Sequence, residues 1–141
     1  MQVEESFAMP VDPAVLWAWI SNVDRWAEWI TDAKRFEAVP AGELEKGSRV
    51  IVHPHKGSPI EARVEQSEKG RILVLRARGL PNDLEVLLTF LVRDQGGSSL
   101  LTMRAETELT GILMFAEKMI DSKARAKLRS WAESLRRATG A

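Results

Sequence analysis

The sequence predicts an α+β fold: a curved antiparallel sheet of about seven strands wrapped around one long C-terminal helix, with two short helices after the first strand. Three observations predict it. Between Phe36 and Leu109 apolar and polar residues alternate with a period of two, and glycine-bearing turns punctuate the run. Ahead of that run, an Asp-Pro pair opens a tryptophan-rich stretch. Behind it, apolar residues recur every three to five positions until Arg137.

The opening strand occupies residues 3–9, where Val3, Glu5, Phe7 and Met9 share one face. Asp12 then supplies a capping carboxylate and Pro13 a pre-set first helical residue. The helix carries Val15, Leu16, Trp17, Trp19 and Ile20 and stops near Ser21-Asn22. Asp24 is expected to cap a second short helix containing Trp26, Trp29 and Ile30. So many indoles cannot all face water, so these helices must plug against something large and apolar.

The strands follow. Turns fall at Lys46-Gly47, Lys56 to Pro59, Ser67 to Gly70, Gly79 to Asp83 and Asp94 to Gly97, the spacing of an antiparallel meander. Ile60, Ala62 and Val64 alternate with Glu61, Arg63 and Glu65. Leu84, Val86, Leu88, Phe90 and Val92 form an unbroken apolar parity, and Leu101, Met103, Ala105 and Leu109 form another. One face is therefore dry and the other largely wet, as in a sheet covered on one side. Thr110-Gly111 ends the last strand. A helix of about seven turns then presents Ile112, Phe115, Met119, Ile120, Ala124, Leu128, Trp131 and Leu135 to that sheet. Arg136 and Arg137 suit the negative end of its dipole.

Composition narrows the function. The chain has 141 residues, 45% hydrophobic and 28% charged, enough for one core and too few for two, so a single domain over 1–141 is expected. Twenty basic residues balance twenty acidic ones, which removes the footprint of a nucleic-acid binder. With no cysteine there are no disulfides, thiolate metal sites or Cys nucleophiles. The start, Met-Gln-Val-Glu-Glu, has no basic or apolar leader region, and no segment approaches the ~20 apolar residues of a membrane span. A cytoplasmic protein is the expectation.

Several motifs resemble one family. The stretch from Met9 to Trp29, MPVDPAVLWAWISNVDRWAEW, resembles the entry pattern of the START-like (SRPBCC) superfamily, the Bet v 1-like or polyketide cyclase/dehydrase and lipid transport group. KGSRVIV, from Lys46, resembles its Gly-led third strand, and DQGGSSLLTM, from Asp94, its Gly-Gly hairpin. The resemblance covers essentially the whole chain and implies the helix-grip fold. It also implies a hydrophobic guest, such as a lipid, quinone, polyketide or aromatic metabolite, between sheet and helix. Fold alone does not choose the guest. Cyclases of this group tend to use inward polar side chains, and the absence of tyrosine weighs against that activity here.

The expected lining of such a site is Phe7, Trp26, Trp29, Val52, Ala62, Val64, Leu75, Leu88, Phe90, Met103, Ala105, Thr107, Phe115 and Met119, with Met114 beside them. Methionine's flexible thioether suits an adaptable apolar wall. Two residues are candidates for proton chemistry or oxyanion binding. Glu5 shares the parity of Val3, Phe7 and Met9, so its carboxylate points inward, pairs with an arginine or lies at the rim. Arg76 faces solvent if Leu73, Leu75 and Ala77 face the interior, pairing then with Glu61, Glu65 or Glu85, and faces the interior if Ile72 and Val74 do. His53 and His55 lie on one side of a strand, but Val50 and Val52 send them outward and no third ligand is identifiable, so no metal is expected. No cofactor is expected either.

Three functions follow from this reading: binding or transport of a small hydrophobic molecule; a polyketide cyclase or dehydratase working through Glu5, Arg76 or Thr107; and a protein-interaction module using the Leu80-Pro81 loop. A monomer or a homodimer is compatible with all three.

Overall fold

The computed structural model describes Met1–Gly140; Ala141, the last residue of the expected domain, lies outside the described residues. The order is β1 (Gln2–Met9), α1 (Pro13–Ser21), a 3-10 turn (Val23–Glu28), β2 (Ala33–Val39), β3 (Arg49–Pro54), β4 (Ile60–Glu68), β5 (Ile72–Arg78), β6 (Val86–Asp94), β7 (Ser99–Thr107) and α2 (Glu117–Ala138). Short 3-10 turns at Pro81–Asp83 and Gly111–Ala116 precede β6 and α2. All seven strands form one antiparallel sheet in the order β1-β7-β6-β5-β4-β3-β2. Only the β1–β7 neighbours are distant in sequence, so the rest is the meander that the turn spacing predicts.

Strand register settles which residues share a face. Across the sheet, Val52 faces Ile60, Ala62 faces Ala77, Val64 faces Leu75, Leu75 faces Leu88, Leu88 faces Ala105 and Phe90 faces Met103. This apolar face is concave and carries the core. The opposite face carries Arg63 facing Arg76, Arg76 facing Leu87 and Leu87 facing Glu106. Arg76 is therefore on the outer face and the inward alternative is wrong. Its Nε donates to Glu65 at 2.6 Å, and Glu85 lies 3.6 Å from its Nη1. Those carboxylates, Glu65 first, hold the guanidinium firmly protonated.

Helix starts differ from the sequence expectation for local reasons. Asp12 caps α1 as expected, its carboxylate accepting from the Ala14 N–H at 2.9 Å. The second element is a 3-10 turn, and its cap is Asn22, whose side chain accepts from Asp24 N–H, in place of Asp24 itself. Trp29 and Ile30 lie beyond it. The long helix does not run seven turns from Gly111. Its first six residues form a 3-10 turn, the α-helix spans 22 residues, and Ala116 at the junction offers no capping side chain.

The core is filled by α1 and the 3-10 turn pressing onto the middle of the concave face. Trp26 lies edge-on to Trp29 at 6.2 Å and to Phe36 at 5.6 Å, while Trp29 lies edge-on to Phe90 at 5.9 Å. Edge-to-face pairs at such separations add about 0.5–1.5 kcal/mol each beyond area burial. Trp26 also donates Nε1–H to the Ile20 carbonyl at 2.9 Å, which fixes its ring. From the C-terminal half of α2, Leu128, Ala132 and Leu135 complete this packing, all essentially inaccessible.

Ion pairs tie α2 to β1 and to the start of β2. Arg129 and Arg125 reach Glu5, Arg136 donates to the Ala8 carbonyl, and Lys127 and Trp131 both bind Asp32. Glu5 thus points toward α2 as its parity predicts, but it is neutralised there. Arg125 reaches Glu4 and Glu5 and Arg136 reaches Ala8, so α2 runs alongside β1 in the same direction and the chain enters it from the end of the sheet at which β1 begins. No helix of the described residues is long and apolar enough to cross a membrane.

Candidate functional site

The concave face has two unlike halves. Around Phe90 it is solid. Trp29, Phe90, Leu101, Met103 and Leu135 are 0% exposed, and Val64, Leu75 and Ala62 are buried beside them. Of the expected lining residues, Trp26, Trp29, Ala62, Val64, Leu75, Phe90 and Met103 are therefore packed core.

Toward the other end the face is half-open. Val52, Ile60, Ala77, Val86, Leu88, Ala105 and Thr107 are each partly exposed, although strand parity places all of them on the concave side. Phe7 is also partly exposed, further along β1. Three connections gather at this end because the strands on either side of them terminate there: residues 55–59, 79–85 and 108–116. The result is an apolar trough with a rim of loops. Ile60, Ala77 and Val86 were not among the expected site residues, yet they share the parity of residues that were, so the signal was present in the strand pattern.

The apolar residues that lead into α2 stand away from this trough. Ile112 is 82% exposed, Met114 63%, Phe115 92% and Met119 55%. Phe115 and Met119 are therefore not buried lining: each lies one position off the half-buried residues Ala116 and Ile120 and faces outward. Behind them, Leu113, Ala116, Ile120 and Ala124 are half-buried and continue the inner stripe of the helix.

The polar candidates are already occupied. Glu5 Oε1 accepts from Arg129 Nη2 at 2.9 Å and lies 3.6 Å from Arg125 Nη1. Thr107 Oγ1–H donates to the Glu85 carbonyl at 2.8 Å, closing the rim between β6 and β7. Arg76 is on the wrong face. His53 pairs with Glu37 at 3.4 Å and His55 with the Thr31 carbonyl at 3.1 Å, both outside the concave face. Among the described residues no group of three His, Asp or Glu side chains is placed to hold a metal.

Two indole N–H groups are the exception to this satisfied set. Trp17 Nε1 and Trp29 Nε1 are buried without an acceptor. The concavities of the outer face are of a different kind. One of about 600 Å³ is lined by Arg76, Glu85, Leu87, Glu106 and neighbours, and one of about 420 Å³ by Glu61, Arg63, Glu65, Arg76 and Arg78. Charged side chains line both. Such walls suit water better than an apolar guest.

The seven-stranded antiparallel sheet, two small N-terminal helices and long C-terminal helix define a helix-grip protein. The chain belongs to the family described as polyketide cyclase/dehydrase and lipid transport, whose model matches residues 1–138. No curated protein matches it in sequence. Solved structures match it in fold. The Zhui aromatase/cyclase from Streptomyces sp. R1128 has a TM-score of 0.75 at 11% identity, over 99% of this chain and 95% of that one. Ara h 8.0201 has a TM-score of 0.68 at 14% identity, covering 96% and 97%. DynU16, from the dynemicin biosynthetic locus, has a TM-score of 0.75 at 15% identity over 96% of this chain, which spans only 46% of that protein.

Proposed function

We propose that this protein binds a small hydrophobic molecule in the open trough of its concave face. Val52, Ile60, Ala77, Val86, Leu88 and Ala105 form the seat, and the aromatic plug at Phe90 forms the floor. One observation carries the reading: a contiguous apolar surface that the fold leaves half-exposed, on the same face whose other half is packed to exclusion. Covering such a surface recovers roughly 25 cal/mol per Å² of apolar area. A lipid, quinone or polyketide is the class of guest that an apolar seat with few polar groups suits. The family, with lipid transport in its description, and the likeness to an aromatase/cyclase in fold support the same class of guest.

Binding without chemistry is the better-supported form. General acid or base catalysis needs a positioned group whose proton is free to move. Glu5 and Thr107, the polar residues on the concave parity, each have a fixed partner. The test is native mass spectrometry of the protein mixed with menadione, emodin and palmitate, representing a quinone, a polyketide and a lipid. Retention of at least one with 1:1 stoichiometry supports the reading. Retention of none, with the fold intact, removes it.

A further inference from the structure

We propose that the free edge of β2 pairs with β2 of a second copy of this chain, antiparallel about Phe36, joining the two sheets into one. The pairing does not depend on what the trough binds. In the open sheet only β1 and β2 have a single neighbouring strand. Such a strand leaves a row of backbone N–H and C=O groups unpaired and ready to accept another strand.

The two edges are treated differently. Along β1, Arg125 of α2 donates to the Glu4 carbonyl at 3.4 Å and Arg136 to the Ala8 carbonyl at 2.9 Å. On the β2 side, the ion pair and hydrogen bond that α2 makes through Lys127 and Trp131 end at Asp32, the residue ahead of the strand. Among the described residues, no side chain hydrogen-bonds to the backbone of Ala33–Val39. The seven residues of that edge span about 20 Å. A bulge between Ala33 and Arg35 guards its start, and from Arg35 to Val39 its register with β3 is regular.

Charge selects both the occupant and the register. A two-fold axis between antiparallel copies of one strand passes through one residue and its own counterpart. Centred on Lys34, Arg35 or Glu37, the axis would set a charge against itself, which destabilises a strand pair. Centred on Ala38, it would set no charges against each other. Centred on Phe36, Arg35 of each copy faces Glu37 of the other, and Lys34 faces Ala38. The stretch Arg35-Phe36-Glu37 is therefore its own antiparallel complement.

Both charges are exposed. Among the described residues Arg35 makes no ion pair or side-chain hydrogen bond, and the contact of Glu37 is with His53 at 3.4 Å. The trough residues lie on β3 to β7, so the pairing leaves them uncovered. One strand edge buries less than the ~800 Å² per partner of a standard interface, so the association is weak and concentration-dependent.

Sedimentation equilibrium at neutral pH and low salt, from about 5 to about 500 µM protein, tests the pairing. The expected result is a monomer–dimer equilibrium that weakens as salt is raised. Arg35→Glu and Glu37→Arg should each weaken the dimer about tenfold or more, and the two together should restore it, because the exchange recreates the same complement. Circular dichroism confirms that each variant is folded. A parent that stays monomeric throughout overturns the proposal. So does a dimer indifferent to the single changes, or one that the double exchange fails to restore. Amide hydrogen exchange of the parent gives a second readout that needs no variant. Slower exchange within Ala33–Val39 at high concentration supports the pairing, and a dimer that forms with exchange there unchanged overturns it.

Discussion

Glu5 of β1 accepts a hydrogen bond from Arg129 of α2 at 2.9 Å, joining residues 124 apart in the chain. With Arg125 also 3.6 Å away, the one acid on the concave parity of β1 serves to seat the helix on the sheet edge. This pairing turns a candidate catalytic group into a clamp. Glu5→Gln should therefore leave guest retention unchanged and lower stability modestly, by about 1 kcal/mol, as a partly exposed pair does. Denaturant unfolding and native mass spectrometry on the same variant check both halves.

The outer-face arginine gives a matching expectation. Arg76→Ala removes partners from Glu65 and Glu85 but touches nothing on the concave face. Guest affinity should stay within twofold of the parent. A tenfold loss would mean that the guest lies on the outer face.

The aromatic plug carries stability. Phe90 and Trp29 are fully buried and edge-on to one another. Phe90→Ala should cost about 3–5 kcal/mol, through lost transfer energy and the cavity left behind. Leu88→Ala, two residues along the same strand at the half-open end, should cost much less. Equilibrium unfolding of the two variants side by side reads this gradient. Equal losses would mean that the trough is as tightly packed as the plug.

Acid should loosen the helix at Asp32. Burial opposes ionisation of this carboxyl, but hydrogen bonds from Lys127 and Trp131 outweigh it and hold its pKa below the usual 3.8. A carboxylate whose folded pKa is depressed stabilises the fold above its unfolded pKa and loses that contribution as pH falls through the folded value. The Asp32-dependent part of stability is thus present at neutral pH and fades below about pH 4. Asp32→Asn should be less stable than the parent at pH 7, and the gap should shrink as the pH is lowered into that range. Unfolding midpoints at pH 7, 5 and 3 test it.

Much of the fold was legible because strands announce their faces. In β6 the apolar parity from Val86 to Val92 predicts the concave side residue by residue, and the register agrees. Arg76 remained open from sequence because Ile72 and Val74 are as apolar as Leu73 and Leu75, so periodicity within β5 alone is ambiguous. Only pairing with β4 and β6 decides it. The helix misled for a different reason. Ile112, Phe115 and Met119 have proper helical spacing, but periodicity reports a stripe and not what stands opposite it. Here the inward stripe is Leu113, Ala116, Ile120, Ala124 and Leu128, so Ile112, Phe115 and Met119 lie one position off it and face outward. The division of the concave face into plug and trough was equally unreadable, since Leu88 and Phe90 look alike in sequence and differ only in whether the tryptophans reach them.

The central claim is that a guest seats on the half-open concave end. Methyl NMR of the isotope-labelled protein titrated with menadione, emodin or palmitate tests it most directly. The account predicts shifts concentrated at Val52, Ile60, Ala77, Val86, Leu88 and Ala105. Shifts confined to Ile72, Leu87 and Leu91 of the outer face, or none with any of the three, would contradict it.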